Sequence, residues 1–170
     1  MSQIETYLRQ LHDLRVRDKH GGLDGWRYPT IEAFLLQYGR LWKPMPLGRH
    51  RFVRMPIQQC FANALKLALR RPDLTYVEGW AGRLIPIHHA WCVDEVGAVV
   101  DPTWRPLPPL PDPEEYFGVP FLARWVQRVV RQSRLSGVLY NYRSNFSCLT
   151  EEPETFLDPR WAPTLEQTGG

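Results

Sequence analysis

The sequence predicts an α+β domain, in which helices pack on one antiparallel sheet of about four strands. A run rich in alanine and leucine, from Gln58 to Arg71, is a strong helix former. Two or three short runs with strand-like composition follow it within residues 74–104. The connections between these runs are short, and short connections join antiparallel strands.

The length and composition of the chain are those of one globular domain. It has 170 residues, of which 44% are hydrophobic and 23% are charged, a balance typical of globular proteins. A chain of this size can bury a sizeable core without disulfides or a structural metal. We therefore predict a single domain over residues 1–150. An extended and less ordered tail is expected at 151–170, which carries three prolines and ends in Gly-Gly.

The cysteines predict neither a disulfide framework nor a zinc site. Cys60, Cys92 and Cys148 are odd in number and form no CxxC pair. A reducing, cytoplasmic setting fits this usage best. The N-terminus is charged and amphipathic, and no later stretch is long enough to cross a bilayer, so we expect neither secretion nor a membrane partner.

The charge of the chain does not favour nucleic acid as a partner. The formal net charge is +3, and 18 of the 21 basic residues are arginine. These arginines are dispersed along the sequence, whereas a nucleic-acid interface needs a clustered basic face. A nucleic-acid-binding module therefore stays a lesser alternative, which steep salt dependence of binding would identify.

Two helices are predicted before the central one. Residues 2–19 place apolar side chains at helical spacing and end at a Gly-Gly break. A second helix starts at Thr30 as N-cap and ends at Gly39. The prolines and basic residues of 40–56 predict an irregular cationic connection, which we interpret as a solvated loop rather than the rim of a cleft.

The rest of the chain supplies the sheet and one more helix. The helix over 58–71 has apolar residues on most sides, which predicts a position inside the domain against the sheet. We interpret Tyr116–Pro120 as a loop that packs on the domain. Strands are predicted at 74–82, 85–94 and 97–104, an extended proline-rich loop at 106–113, a helix at 122–134 and a strand at 137–143.

Three residues in this frame have the chemistry of a nucleophilic site. A cysteine in the first turn of a helix, as predicted for Cys60, lies at the positive end of the helix dipole, which favours the thiolate. The free N–H groups of that turn point to where an oxyanion would form. Histidine can accept a proton from such a nucleophile and return it to the leaving group. Asp101, twelve residues after His89, suits one hairpin that brings it beside the imidazole.

Strand alternation decides between the two adjacent histidines. His89, Trp91 and Val93 share one face, and His88 and Cys92 lie on the other. The bulky apolar companions favour the face of His89 as the one that packs against the helix. His89 is therefore our candidate base, and His88 is interpreted as a bystander.

The segments QCFANALKLALRR, TYVEGWA, HHAWCVD and VVDPTW together resemble the core of the transglutaminase-like branch of the papain-like superfamily of thiol enzymes. The resemblance spans Cys60 to Trp104, about a quarter of the chain. It implies a papain-like or transglutaminase-like core, with a central helix that carries Cys60 at its N-terminus and packs on the antiparallel sheet. It also implies Cys60 as nucleophile, His89 as general base and acid, and Asp101 as the residue that orients His89.

The implied activity is that of a thiol-dependent amide hydrolase or acyl transferase acting on a peptide or protein through a Cys60 thioester. A peptidase, a protein glutamine deamidase and a transglutaminase-like enzyme all fit, and none requires a metal or an organic cofactor. Gln59 stands where such enzymes often have glycine, and Gln58 or Gln59 is a candidate donor to the oxyanion. Trp104 is a candidate wall of the substrate cleft.

Two other interpretations remain open. Cys60 taken alone would be read as a buried structural thiol, since cysteine is among the most buried residue types. A catalytically silent transglutaminase-like domain that binds a protein in the same cleft is the main alternative. A Cys60 that reacts no faster than an ordinary thiol would favour that alternative.

Overall fold

A five-stranded antiparallel sheet forms the centre of the fold, with helices packed mainly on one of its faces. The predicted α+β class is confirmed, with one more strand than expected. The computed structural model describes residues 2–18, 25–44, 55–82, 85–104 and 112–161. Its helices are α1 (Gln3–Arg17), α2 (Ile31–Tyr38), α3 (Cys60–Arg70), α4 (Ala123–Ser133) and α5 (Ser147–Thr150), with short 3-10 turns at Tyr142–Ser144 and Pro153–Thr155. Its strands are β1 (Arg40–Trp42), β2 (Thr75–Gly82), β3 (Ile87–Val93), β4 (Val99–Val100) and β5 (Glu115–Phe121).

The strands lie in the order β1-β5-β2-β3-β4, and every neighbouring pair is antiparallel. β2 and β3 form a hairpin that pairs Thr75 with Val93 and Gly79 with His89. β4 has two residues and pairs only with Cys92 and Val93, at the end of β3. Within the described chain, the earlier part of β3 therefore has no strand on its outer side.

The two faces of the sheet bury different cores. The larger core lies under the helices, where Phe34 of α2, Val126 of α4 and Phe121 of β5 are fully buried. The smaller core lies on the opposite face and contains aromatic side chains, valines and one alanine: Trp42, Val77, Ala81, Trp91, Val93, Val99 and Tyr116.

Capping bonds lie at the start of both α1 and α2, and those of α2 confirm the predicted caps Thr30 and Gly39. The Ser2 hydroxyl accepts a hydrogen bond from the Glu5 N–H, and the Glu5 carboxylate accepts one from the Ser2 N–H, a capping box. The Thr30 hydroxyl accepts from the N–H of Ala33 at the start of α2. α2 ends at Gly39, whose N–H donates to the carbonyl of Leu35.

The prediction of a loop at Tyr116–Pro120 was wrong, because these residues belong to β5, which lies in the sheet between β1 and β2. Gly118 and Pro120 made it resemble a loop. Gly118 is required because a Cβ there would lie 2.6 Å from the carbonyl oxygen of Glu78. Pro120 is tolerated because its carbonyl points away from β2, toward the N–H of Asp158, so its missing N–H breaks no bond to β2.

The strand predicted at 137–143 is also wrong, since that segment forms turns and the 3-10 turn Tyr142–Ser144. Its apolar residues Val138 and Leu139 are buried, and their N–H groups bind a side chain rather than a strand. The apolar residues of this segment thus belong to a buried turn.

α3 confirms the predicted central helix, although it is buried along one stripe and not on most sides. Its buried residues are Asn63, Ala64, Leu67 and Ala68, which form one stripe, and Lys66 and Arg70 are exposed. α3 packs chiefly against β3, so the predicted contact of the central helix with the sheet is confirmed.

Two segments differ from the expected loops. Residues 40–42, which begin the predicted cationic connection, form β1, whereas 45–54 lie outside the described residues. In the predicted tail, Phe156 is fully buried against Phe34 and Trp125. Residues 162–170 also lie outside the described residues. In the part of the chain that is described, no helix is both long and apolar enough to span a membrane.

Candidate functional site

Asp101 is held by four hydrogen bonds directly after β4. Its Oδ1 accepts from the backbone N–H groups of Thr103 and Trp104, both at 2.9 Å. Its Oδ2 accepts from Nε2 of His89 at 2.7 Å and from the hydroxyl of Tyr116 at 3.2 Å. An aspartate commonly closes a turn onto the following N–H groups in this way. The carboxylate is therefore fixed in position and its acceptor sites are filled.

His89 lies in β3 with its side chain only 6% exposed. Its ring is stacked with Trp91 at an interplanar angle of 15° and meets Trp104 edge-on, with ring centroids 5.4 Å apart. Asp101 is an acceptor only, so Nε2 of His89 is the donor in their bond. The other ring nitrogen, Nδ1, is left to exchange a proton with a second group.

Cys60 is the first residue of α3 and is half-buried. It lies within hydrogen-bonding reach of His89. The first turn of α3 has no side-chain cap at Gln59, so its N–H groups keep free donor capacity. The structure thus brings the predicted residues Cys60, His89 and Asp101 together.

Asn63 attaches the start of α3 to the turn that holds Asp101. Its Nδ2 donates to the carbonyl oxygen of Pro56 at 2.7 Å and to the hydroxyl of Thr103 at 2.9 Å. Asn63 is 4% exposed, so these bonds lie in a poorly hydrated place. They fix Cys60 relative to Asp101, although the two residues belong to different elements.

The charges of His89 and Asp101 support each other. Burial alone would lower the pKa of His89, but its hydrogen bonds to Asp101 and Cys60, and its electrostatic attraction to both, raise that pKa from 6.5 to about 9. Burial alone would raise the pKa of Asp101, but the bond and charge of His89 and the two backbone N–H groups lower it. Imidazolium and carboxylate therefore coexist as an ion pair at neutral pH.

The side chains of β3 alternate between two faces as predicted, but α3 packs on the face of His88 and not on the face of His89. The ring of His88 contacts Phe61 of α3, and the Cys92 thiol donates to the carbonyl of Ala64. His89 instead projects to the face of the smaller core. The reason we gave for preferring His89 was therefore wrong. Cys60, at the start of α3, nevertheless lies near enough to His89 to raise the pKa of its ring.

His88 is more than a bystander in the structure, because it also binds a carboxylate. Its Nε2 is 3.2 Å from Oε1 of Glu78, which is fully buried. Sequence reasoning missed Glu78, Tyr116 and Asn63. Glu78 could have been found from the sequence, because it is two residues after Tyr76 on the same face of a strand. A buried acid in such a place requires hydrogen-bond partners.

The other predicted site residues stand apart from these contacts. Gln58 and Gln59 are exposed, and neither side chain forms a hydrogen bond with the described residues. Gln58 has a positive φ of 65°. Trp104 is half-buried beside His89, and its Nε1 is buried without a hydrogen-bond partner in the described chain. Their roles toward an oxyanion or a substrate stay predictions.

Cys92 and Cys148 are fully buried, and burial raises the pKa of both thiols. Among the described residues, no group of three or more histidine, cysteine or acidic side chains is arranged to hold a metal ion.

Comparisons of the chain with known protein families, curated proteins and solved structures find no match.

Proposed function

We propose that this protein is a cysteine-dependent amide hydrolase or acyl transferase that acts on a peptide or protein through a Cys60 thioester. The observation that carries the proposal is the buried ring of His89, whose Nε2 is 2.7 Å from Asp101 and whose pKa is raised by the nearby side chain of Cys60. The sequence resemblance names the same three residues. On this proposal the α+β fold is a transglutaminase-like core.

In the first step, the Cys60 thiolate attacks the carbonyl carbon of the substrate. A C–S bond forms, and the C–N bond breaks as protonated His89 gives its proton to the leaving amine. The N–H groups at the start of α3 stabilise the oxyanion, with Gln58 or Gln59 as a further donor. The product of this step is a thioester and a free amine.

In the second step, water or an acceptor amine attacks the thioester carbonyl. His89 takes the proton of the attacking group, the C–S bond breaks, and Cys60 leaves as the thiolate. Water yields a carboxylic acid, as in a peptidase or a glutamine deamidase, and an amine yields a new amide, as in a transglutaminase-like enzyme. Trp104 forms a wall of the cleft and limits the access of water.

The test is alkylation of Cys60 by iodoacetamide at pH 7, quantified by mass spectrometry. We expect Cys60 to react faster in the folded protein than in the chain unfolded in urea, because a neighbouring imidazolium activates a cysteine. His89→Ala removes that neighbour and should slow the reaction. His12→Ala, which changes a histidine in α1, is the matched control and should leave the rate unchanged.

Cys92 and Cys148 serve as internal reporters of unfolding, since both are fully buried. Labelling of either would show that the fold has opened. If folded Cys60 reacts no faster than in the unfolded chain, and His89→Ala has no effect, the enzyme proposal fails. That result would favour the catalytically silent domain.

A further inference from the structure

His88 and Glu78 form a second imidazole–carboxylate pair that the proposed reaction does not use. His88 precedes His89 in β3 and points to the opposite face of the sheet. The Nε2 atom of His88 is 3.2 Å from Oε1 of Glu78. Its side chain is 26% exposed, whereas that of Glu78 is completely buried. The strand thus presents two oriented imidazoles, of which His88 is the more accessible.

The hydrogen bonds of Glu78 determine which nitrogen of His88 carries its proton. Besides His88, the carboxylate accepts from the Tyr76 hydroxyl at 2.9 Å and from the N–H groups of Val138 and Leu139 at 2.8 and 3.0 Å. A carboxylate filled by four donors acts only as an acceptor. When the His88 ring is neutral, its single N–H is therefore at Nε2, and Nδ1 offers a lone pair.

Nδ1 of His88 is available to a ligand. It makes no hydrogen bond with any described residue, whereas Nε2 is occupied by Glu78. The ring lies between Phe61 and Tyr140, with centroids at 4.8 and 4.9 Å, and Trp80 is 5.7 Å away. All three rings are half-buried. The surroundings are therefore an aromatic wall with one accessible polar acceptor.

This wall adjoins the nucleophile. Phe61 directly follows Cys60 at the start of α3. Tyr76 shares Glu78 with His88. The pKa of Tyr76 is raised by burial, then by the carboxylate of Glu78 and, more weakly, by the sulfur of Cys60. The ring that packs on His88 thus belongs to the residue next to the nucleophile.

We propose that Phe61, Trp80, His88 and Tyr140 form a substrate subsite, the His88 subsite, in which Nδ1 of His88 accepts a hydrogen bond from an uncharged carboxamide or peptide N–H. The inference rests on the proposed function, because the subsite matters only beside a reactive Cys60. A carboxylate has no N–H to donate and would face a lone pair. The subsite therefore selects the amide substrate and disfavours the acid product of hydrolysis.

Two alkylating probes of similar size test this selection. Iodoacetamide carries a carboxamide and iodoacetate a carboxylate, and the ratio of their rates at Cys60 is measured at pH 8. His88→Gln keeps a donor near the position of Nε2 but loses the acceptor. We expect its iodoacetamide-to-iodoacetate ratio to fall about two- to tenfold, the range of one neutral hydrogen bond.

His88→Asn is the matched variant, because its side-chain oxygen lies near the position of Nδ1 while the bond to Glu78 is lost. We expect His88→Asn to keep the wild-type ratio but to have a lower melting temperature than His88→Gln. A purely structural role of His88 predicts an unchanged ratio in both variants and would overturn the subsite. Failure of the proposed function is distinct, since wild-type Cys60 would then show no enhanced rate with either probe.

A measurement on the unaltered protein completes the test if His88→Gln does not fold. Long-range proton–nitrogen NMR correlations of the His88 ring report which nitrogen carries hydrogen. We expect protonated Nε2 and bare Nδ1 at pH 8. A ring protonated at Nδ1 would have no acceptor to offer and would overturn the proposal.

Discussion

At the scale of single residues, Asp101 controls the charge of His89. All four hydrogen bonds to its carboxylate come from fixed neighbours, two of them backbone N–H groups and one the buried hydroxyl of Tyr116. Such a carboxylate stays ionised and does not turn away from the imidazole. The proton on Nε2 of His89 is therefore held, and proton exchange is left to Nδ1.

Asp101→Asn should lower the pKa of His89 from about 9 toward its ordinary value of 6.5, because the variant removes the negative charge. NMR titration of the His89 ring measures this directly. Tyr116→Phe is the control, since it removes one hydrogen bond to Asp101 but keeps the carboxylate, and its His89 should still titrate near 9. A His89 pKa that stays near 9 in Asp101→Asn would contradict the assigned cause.

The sequence indicated Cys60, His89 and Asp101 because each stands in a short motif with a predicted helix or strand around it. It did not indicate Asn63 or Tyr116, whose partners are 40 and 15 positions away and belong to other elements. Alternation separated His88 from His89 correctly. It could not say which face α3 covers, since both faces of β3 carry buried side chains.

At the scale of elements, the position of Cys60 depends on how α3 is attached to the turn after β4. Asn63 donates to both Pro56 and Thr103, and the N–H of Met55 donates to the carbonyl of Pro102. The segment before α3 and the turn at 101–104 therefore move as one unit. Nothing comparable caps the helix itself, because Gln59 makes no side-chain cap bond.

Asn63→Ala should lower the free energy of unfolding by about 1–3 kcal/mol, because the buried hydroxyl of Thr103 and the carbonyl of Pro56 lose their donor. It should also slow alkylation of Cys60, since the helix start loses its attachment beside His89. Urea denaturation and iodoacetamide labelling measure the two effects. Lys66→Ala, on the exposed side of α3, should change neither. A destabilised Asn63→Ala with wild-type labelling would show that Asn63 does not position Cys60.

The helices were predictable because their signals are local. Ser2 and Thr30 cap α1 and α2 through residues three positions ahead, and such pairs can be read from adjacent letters. β5 could not be read in this way. Gly118 is required because the backbone of β5 approaches Glu78 closely, and Pro120 is tolerated because its carbonyl points away from β2. Both requirements arise from the position of β5 in the sheet.

At the scale of the whole molecule, the pair His89–Asp101 makes stability depend on pH. The pKa of His89 is raised in the folded state. The contribution of His89 to the free energy of unfolding is therefore complete below pH 6.5 and is lost as pH rises toward about 9. The pKa of Asp101 is lowered in the folded state. The contribution of Asp101 to the free energy of unfolding is therefore present above pH 3.8 and is lost as pH falls through the pKa of the folded state.

We therefore expect the free energy of unfolding to fall between pH 6.5 and 9 by more in the wild-type protein than in His89→Ala. Urea denaturation at both pH values measures the difference. His12→Ala should retain the wild-type dependence, which controls for the loss of a histidine as such. Equal slopes in the wild-type protein and His89→Ala would show that His89 is not protonated at neutral pH.

The order of the strands also affects how the chain matures during synthesis. β5 lies between β1 and β2, yet it is translated after both of them. A growing chain therefore carries β1 without its sheet neighbour, and Asp101 without the hydroxyl of Tyr116, until residue 121 has left the ribosome. Cys60 emerges much earlier. The strand order thus keeps the sheet from closing until β5 has emerged, so the fold around this thiol is completed late in synthesis.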